Sequence, residues 1–224
     1  MNAYGEFLLN SEIRNLKSEI EIYFRTKERE PMKVLVTGGT GFTGKALVRR
    51  LLDEGHHVVA LDYKEGLKTE ELRKWGTEVV IGSVTDKNLV DRCTEGVDVV
   101  HHLAAAFREL NVPDSYYHEV NVGGTLNALE AAYRHKVKKF IYCSTCGVHG
   151  NIDHPPGGED APIQPADYYQ TTKYEAEPLV HEFYKKGMKT VILRFGPESG
   201  AVRRRIPDFI NFAMEYIQFY AENQ

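Results

Sequence analysis

Residues 33–44 read Lys33-Val34-Leu35-Val36-Thr37-Gly38-Gly39-Thr40-Gly41-Phe42-Thr43-Gly44. An apolar strand, Val34–Val36, runs directly into a glycine-rich turn, and a helical pattern follows from Lys45 to Asp53. Gly38, Gly41 and Gly44 allow a tight turn, close approach of backbone to a pyrophosphate, and close packing of helix on strand. The first turn of such a helix, with Phe42, Thr43 and Gly44 beside it, leaves backbone N–H groups free, and its dipole favours an anion there. The segment restricts the chain to an α/β unit of nucleotide-binding type and makes a bound dinucleotide the first expectation.

The middle of the chain keeps the same rhythm. Val34–Val36, Val58–Leu61, Val79–Ile81, Val97–His102, Phe140–Cys143 and Thr190–Leu193 are short apolar runs rich in β-branched residues. Between them, Lys45–Asp53, Thr69–Lys74, Asn88–Cys93, Ser115–His135 and Tyr169–Lys186 have helical character. Continuous apolar strands separated by helices predict a parallel sheet covered on both faces. Right-handed crossovers make that a doubly wound, Rossmann-type α/β domain over residues 32–194. The second strand ends in Asp62, 24 positions after Gly38. A carboxylate there accepts both ribose hydroxyls of an adenosine and repels a 2′-phosphate, which favours NAD over NADP.

Several function classes are disfavoured. The net charge of −4 gives no general attraction to nucleic acid, and Arg203-Arg204-Arg205 reads as a solvated helix face. No stretch approaches the roughly 20 apolar residues of a membrane span, and Glu6, Glu12 and Arg14 interrupt any leader pattern. Cys93, Cys143 and Cys146 make no disulfide framework. The default is a soluble, cytoplasmic protein. Cys143 and Cys146 form a Cys-x-x-Cys, read as structural because the first closes a strand and no second ligand pair lies nearby. His56-His57 and His101-His102 flank strands and read as packing or surface residues, so no metal site is expected.

Two flanks leave the rhythm. Leu9, Ile13, Leu16, Ile20 and Tyr23 make residues 1–31 an amphipathic helix. It caps the domain, forms a homodimer contact, or is an upstream start preceding Met32. Residues 195–224 carry Ile206, Phe209, Ile210, Ala213, Tyr216 and Ile217, a short amphipathic helix.

In order along the chain stand Thr37-Gly38-Gly39-Thr40-Gly41-Phe42-Thr43-Gly44, His102-Leu103-Ala104-Ala105, Asn121-Val122-Gly123-Gly124-Thr125, Ser144-Thr145 and Tyr169-Gln170-Thr171-Thr172-Lys173. Together they resemble the extended short-chain dehydrogenase/reductase superfamily, in its NAD-dependent epimerase/dehydratase branch, over residues 33–194. The resemblance implies NAD as cofactor and a catalytic set of Thr145, Tyr169, Lys173 and Asn121. Tyr169 and Lys173 open a helix after the fifth strand, one turn apart on one face. Tyr23 and Lys27 match the same spacing but precede the nucleotide-binding strand, so that match is incidental. A tyrosine is a poor base at its free pKa of about 10. A lysine ammonium one turn away, with the positive nicotinamide ring, is expected to lower that pKa. In the family the lysine also holds the nicotinamide ribose, and the tyrosine exchanges a proton with a substrate oxygen as hydride moves at nicotinamide.

By the same resemblance Thr145, not its neighbour Ser144, meets the substrate oxygen, and Asn121 holds active-site backbone and water. Leu103, Ala104 and Ala105 let the cofactor backbone pass closely. Ser83-Val84 occupy a position where family members commonly have an Asp to meet the adenine amino group, and Ser83 retains hydrogen-bonding capacity there.

Three departures bear on function. Cys146 and Gly147 stand where sugar-nucleotide 4,6-dehydratases carry Asp-Glu, which disfavours that chemistry. His149 replaces a usual tyrosine and is expected to alter the substrate pocket. After Arg194 the family continues into a substrate-binding domain, which residues 195–224 are too few to build; the alternatives are a truncated product, a fragment or a compact member. The resemblance implies a small-molecule substrate, foremost a nucleotide sugar, handled by an oxidoreductase or epimerase. An NAD-binding module without catalysis and a reductase of steroid-like or flavonoid-like alcohols are the competing readings.

Overall fold

A computed structural model describes residues 30–151, 158 and 160–195 of the chain. Apart from Glu30, Pro31 and Phe195, the helices expected over 1–31 and 195–224 lie outside the described residues.

Six strands, β1 (Lys33–Thr37), β2 (His57–Asp62), β3 (Glu78–Ile81), β4 (Val99–His102), β5 (Lys139–Thr145) and β6 (Thr190–Phe195), form one parallel sheet in the order β3-β2-β1-β4-β5-β6. Its helices are α1 (Phe42–Asp53), α2 (Leu67–Lys74), α3 (Lys87–Thr94), α4 (Asp114–His118), α5 (Gly124–Arg134) and α6 (Tyr168–Lys185). The period-two alternation of β1 explains the layering. Val34 and Val36 join Leu47, Val48 and Leu51 of α1 and Leu72 of α2 in one core. Leu35 turns the other way, into a core with Val90 of α3, Leu129 of α5 and Val180 of α6. Both faces are therefore buried, as uninterrupted apolar strands require.

The expected doubly wound α/β fold is the observed one. The strand order reverses between β1 and β4, and ligands of such sheets bind outside the carboxyl ends at that reversal. Register aligns those ends: Thr37 pairs with Leu61 and His102, Asp62 with Ile81, and Thr145 with Phe195.

Two boundaries move in ways that matter. α1 begins at Phe42 rather than Lys45, with Gly41 at its N-cap, so the helix starts immediately after the glycine turn. The segment expected as a single helix over Ser115–His135 instead runs as α4, a π-helical turn over Glu119–Gly123, and α5. The extra residue of a π turn re-aims neighbouring side chains, and the residue at its centre is the fully buried Asn121.

Candidate active site

The glycine turn is a backbone cradle. Gly38 has φ +71°, in the left-handed region, and a Cβ there would lie 2.9 Å from the Ala104 nitrogen. A Cβ on Gly44 would lie 2.1 Å from the Gly38 carbonyl oxygen, so α1 packs on its own turn only because that atom is missing. A cleft of about 540 Å³ opens above the turn, lined by Gly38, Gly41, Asp62, Ser83, Val84 and Leu103–Ala105 among others. Phe42, Thr43 and Gly44 do not line it. Phe42 is 62% exposed, and what these three residues contribute is the first helical turn.

Asp62 is held in place before any ligand arrives. Its Oδ2 accepts from the Thr40 amide at 2.9 Å and the Thr40 hydroxyl at 2.6 Å, and its Oδ1 accepts from the Tyr63 amide at 2.9 Å. Thr40 escaped sequence reasoning, because a threonine inside a glycine turn carries no distinguishing pattern of its own.

Behind the cleft runs a buried polar chain. Thr125 Oγ1 donates to the Asn121 carbonyl at 2.6 Å, so it receives the Nε2–H of His102 at 3.0 Å. The other ring nitrogen, Nδ1, then accepts from Thr37 Oγ1 at 2.8 Å, and Thr37 Oγ1 accepts from the Ala104 amide at 3.2 Å. Burial, with Lys173 adding to it, pushes the His102 pKa down to about 3, so the ring is neutral and this tautomer satisfies every partner. His102 is thus an internal strut, in line with its reading as a packing residue.

Asn121 is fully buried and grips the segment after β4. Its Oδ1 accepts from the Ala106 amide at 2.8 Å, and its Nδ2 donates to the Ala106 carbonyl at 3.2 Å and to Thr172 Oγ1 at 2.9 Å. It ties the cofactor-side loop to α6 one residue from Lys173.

A second cleft, about 490 Å³, adjoins the first: Ala106 lines one and Phe107 the other. Thr145, Cys146, Tyr169, Arg108 and Asp167 line this second cleft. Asp167 caps α6, accepting from the Gln170 amide at 2.7 Å, and so fixes the start of the helix at Tyr168 with Tyr169 in its first turn. The Tyr169 ring meets Phe107 edge-on at 4.8 Å between centroids. Thr145 Oγ1 accepts from the Gly147 amide at 3.1 Å, which leaves its own proton to donate. Ser144 points elsewhere, donating to Glu177 Oε1 at 2.6 Å.

The expected depression of the Tyr169 pKa is reversed in the chain by itself. Burial pushes the phenol well up, and Cys143, Asp167 and Cys146 push in the same direction. Lys173 does not offset this. It is itself buried, which lowers its pKa to about 8, and its ammonium lies 4.2 Å from the centroid of the Tyr142 ring. Burial makes the charged form of either group expensive.

His149 ends the short turn after β5. It does not line either cleft but is buried, with Nδ1 donating to the Ala161 carbonyl at 2.9 Å and Nε2 accepting from Arg194 at 2.9 Å. Arg194 continues to Glu177, with Nη2 2.7 Å from Oε2. His149 therefore braces the turn after Thr145, which carries the cleft-lining Cys146 and Gly147. Glu177, one turn beyond Lys173 on α6, was not picked out from the sequence; its i+4 spacing from Lys173 was the available signal. Cys93 and Cys143 are free thiols, and among the described residues no three His, Cys, Asp or Glu side chains converge to hold a metal.

A 2-alkyl-3-oxoalkanoate reductase of Stenotrophomonas maltophilia is 36% identical over 168 residues, 73% of this chain and 50% of that protein. The N-acetyl-alpha-D-glucosaminyl-diphospho-ditrans,octacis-undecaprenol 4-epimerase of Escherichia coli O157:H7 is 33% identical over 153 residues, 68% of this chain and 44% of that one. The chain thus spans about half the length of these curated relatives. Among solved structures, UDP-glucuronic acid 4-epimerase from Bacillus cereus in complex with NAD superposes with TM-score 0.66 at 31% identity, covering 74% of this chain and 56% of that one. The sequence profile of one family matches residues 34–216, which take in the cradle, Asp62, Asn121, Thr145 and the Tyr169–Lys173 pair: the chain belongs to the NAD dependent epimerase/dehydratase family.

Proposed function

We propose that this chain binds NAD in the first cleft and exchanges a hydride at a secondary alcohol or ketone carbon held in the second, as an oxidoreductase or epimerase. The observation that carries this is the sharing of one cleft by Thr145 and Tyr169, adjacent to the cleft above the glycine turn. The residues present fit the cofactor. Gly38 and Gly44 form a cradle that any Cβ would fill, and Asp62 stands at the end of the neighbouring strand with its carboxylate already oriented. When bound, the nicotinamide supplies the hydride acceptor or donor.

The chain's own residues handle the proton. Tyr169, held protonated by burial, is poised to donate from its phenol to a substrate oxygen in the direction of reduction. In the direction of oxidation it must take that proton back, and the positive charge of Lys173 one turn away favours the phenolate then formed. Thr145, with its oxygen already accepting from Gly147, offers its proton to the same substrate oxygen. Asn121 keeps Ala106, and hence the boundary between the clefts, fixed against α6.

The substrate class we favour is a nucleotide-linked sugar, supported by the named activities of the Escherichia coli and Bacillus cereus proteins. The test is turnover on a panel of nucleotide sugars, secondary alcohols and ketones with NAD or NADH, for wild type and Tyr169→Phe. The expected result is turnover reduced by about 100-fold or more in the variant. Turnover that survives Tyr169→Phe unchanged overturns the assignment. NAD binding with no turnover on the panel favours a binding module instead.

A further inference from the structure

The nucleotide cleft has a direction. The glycine turn follows β1, Asp62 ends β2 and Ser83 follows β3, and these three strands are neighbours in that order. A dinucleotide with its diphosphate at the start of α1 and its ribose hydroxyls at Asp62 therefore carries its base outward, to the end of β3. Ser83 and Val84 line the cleft there.

The Ser83 hydroxyl is already engaged. Its oxygen accepts from the Thr85 amide at 3.1 Å and from the Thr85 hydroxyl at 2.9 Å. A hydroxyl has two acceptor lone pairs and one proton. With both lone pairs used by Thr85, what Ser83 offers the cleft is a donor. The backbone acceptors beside it are also engaged: the Val84 and Thr85 carbonyls receive the Asn127 amide at 3.0 and 3.2 Å.

A 6-aminopurine presents an N–H donor at position 6 and an acceptor at N1, whereas a 6-oxopurine presents an acceptor at position 6. The Ser83 proton satisfies N1 of the first or the oxygen of the second, and it cannot receive the amino group. We infer that this chain reads the purine edge by donation from Ser83 and so accepts a 6-oxopurine dinucleotide as well as the 6-aminopurine one. The inference rests on the NAD reading above and concerns the base alone.

The experiment is calorimetric titration of the full chain with NAD and with nicotinamide hypoxanthine dinucleotide. For wild type the two dissociation constants should agree within about threefold, less than a full hydrogen bond's worth of discrimination. Ser83→Asp replaces the donor with an acceptor and should shift the ratio toward NAD by about tenfold or more. Thr85→Val frees a lone pair on Ser83 and should shift the ratio the same way by less. A wild-type preference of tenfold or more for NAD overturns the inference and leaves the NAD reading intact. Ratios unmoved in both variants overturn it equally, whereas binding of neither dinucleotide overturns the NAD reading and this inference with it.

Discussion

Asn121 holds Ala106 by both ends of its backbone: Oδ1 accepts from the Ala106 amide at 2.8 Å, and Nδ2 donates to the Ala106 carbonyl at 3.2 Å. Asn121 sits in a π turn of a helical segment, while Ala106 lies in the loop after β4, where the two clefts meet. The same Nδ2 reaches Thr172 on α6. Asn121→Ala leaves these buried groups unsatisfied and should destabilise the fold by about 3 kcal/mol, measured by urea denaturation. A loss under about 1 kcal/mol would show that the loop finds other partners.

The Asp62 carboxylate faces the first cleft with its orientation fixed by Thr40 and Tyr63. Asp62→Ala should weaken NAD by about 2 kcal/mol, roughly 30-fold, and narrow the gap between NAD and NADP because the repulsion of a 2′-phosphate goes with it. Calorimetric titration reads both. Tighter binding of NADP than NAD by wild type would contradict the role given to Asp62.

Two glycines in this fold should respond oppositely to alanine. At Gly44 a Cβ would lie 2.1 Å from the Gly38 carbonyl oxygen and 3.0 Å from the Gly39 Cα, all backbone atoms that cannot step aside. Gly44→Ala should cost about 3 kcal/mol or more and abolish dinucleotide binding. Gly123 has helical φ −61° and ψ −46° with nothing near its missing Cβ. Gly123→Ala should stabilise by about 0.5–1 kcal/mol. Thermal denaturation of the two variants checks the contrast.

Burial holds the imidazoles of His101 and His102 down to a pKa of about 3. The free value is about 6.5, so on acidification the unfolded chain takes up protons before the folded chain does. This contribution to stability is complete above pH 6.5 and is lost as pH falls toward 3, at up to about 1.4 kcal/mol per pH unit for each histidine. Both ring nitrogens of His101 are buried without a hydrogen-bond partner among the described residues. His101→Leu should therefore flatten the acid limb and leave stability at pH 7 equal or about 1–2 kcal/mol higher. An unchanged acid limb in denaturation at pH 4–7 would rule out His101 as a contributor.

How much was legible beforehand depends on the range over which each feature is encoded. The strand cores and the succession of strand, glycine turn and helix are local or ordered along the chain, and the structure arranges them as expected. The Ser115–His135 segment was readable as helix but not as a helix with a π turn, since an inserted residue in the hydrogen-bond ladder leaves the apolar period nearly intact. The direction of the Tyr169 shift in the chain without its cofactor was not legible for a related reason. Spacing says that a lysine is one turn away, whereas burial, which dominates, depends on what the rest of the chain packs around both groups.

By itself, then, the sequence determined the doubly wound fold, the phosphate cradle and the order of candidate residues along the sheet edge, because each follows from backbone preferences and periodicity within a few dozen residues. Only the tertiary structure decided what those side chains meet. Thr40 on Asp62, Asn121 on Ala106 and Thr172, His149 on Arg194, and Thr85 on Ser83 are hydrogen bonds whose partners depend on how loops and strands come together. A hydrogen bond requires its groups within about 3 Å and in line. No pattern of residue types carries that information until packing has brought the segments into place.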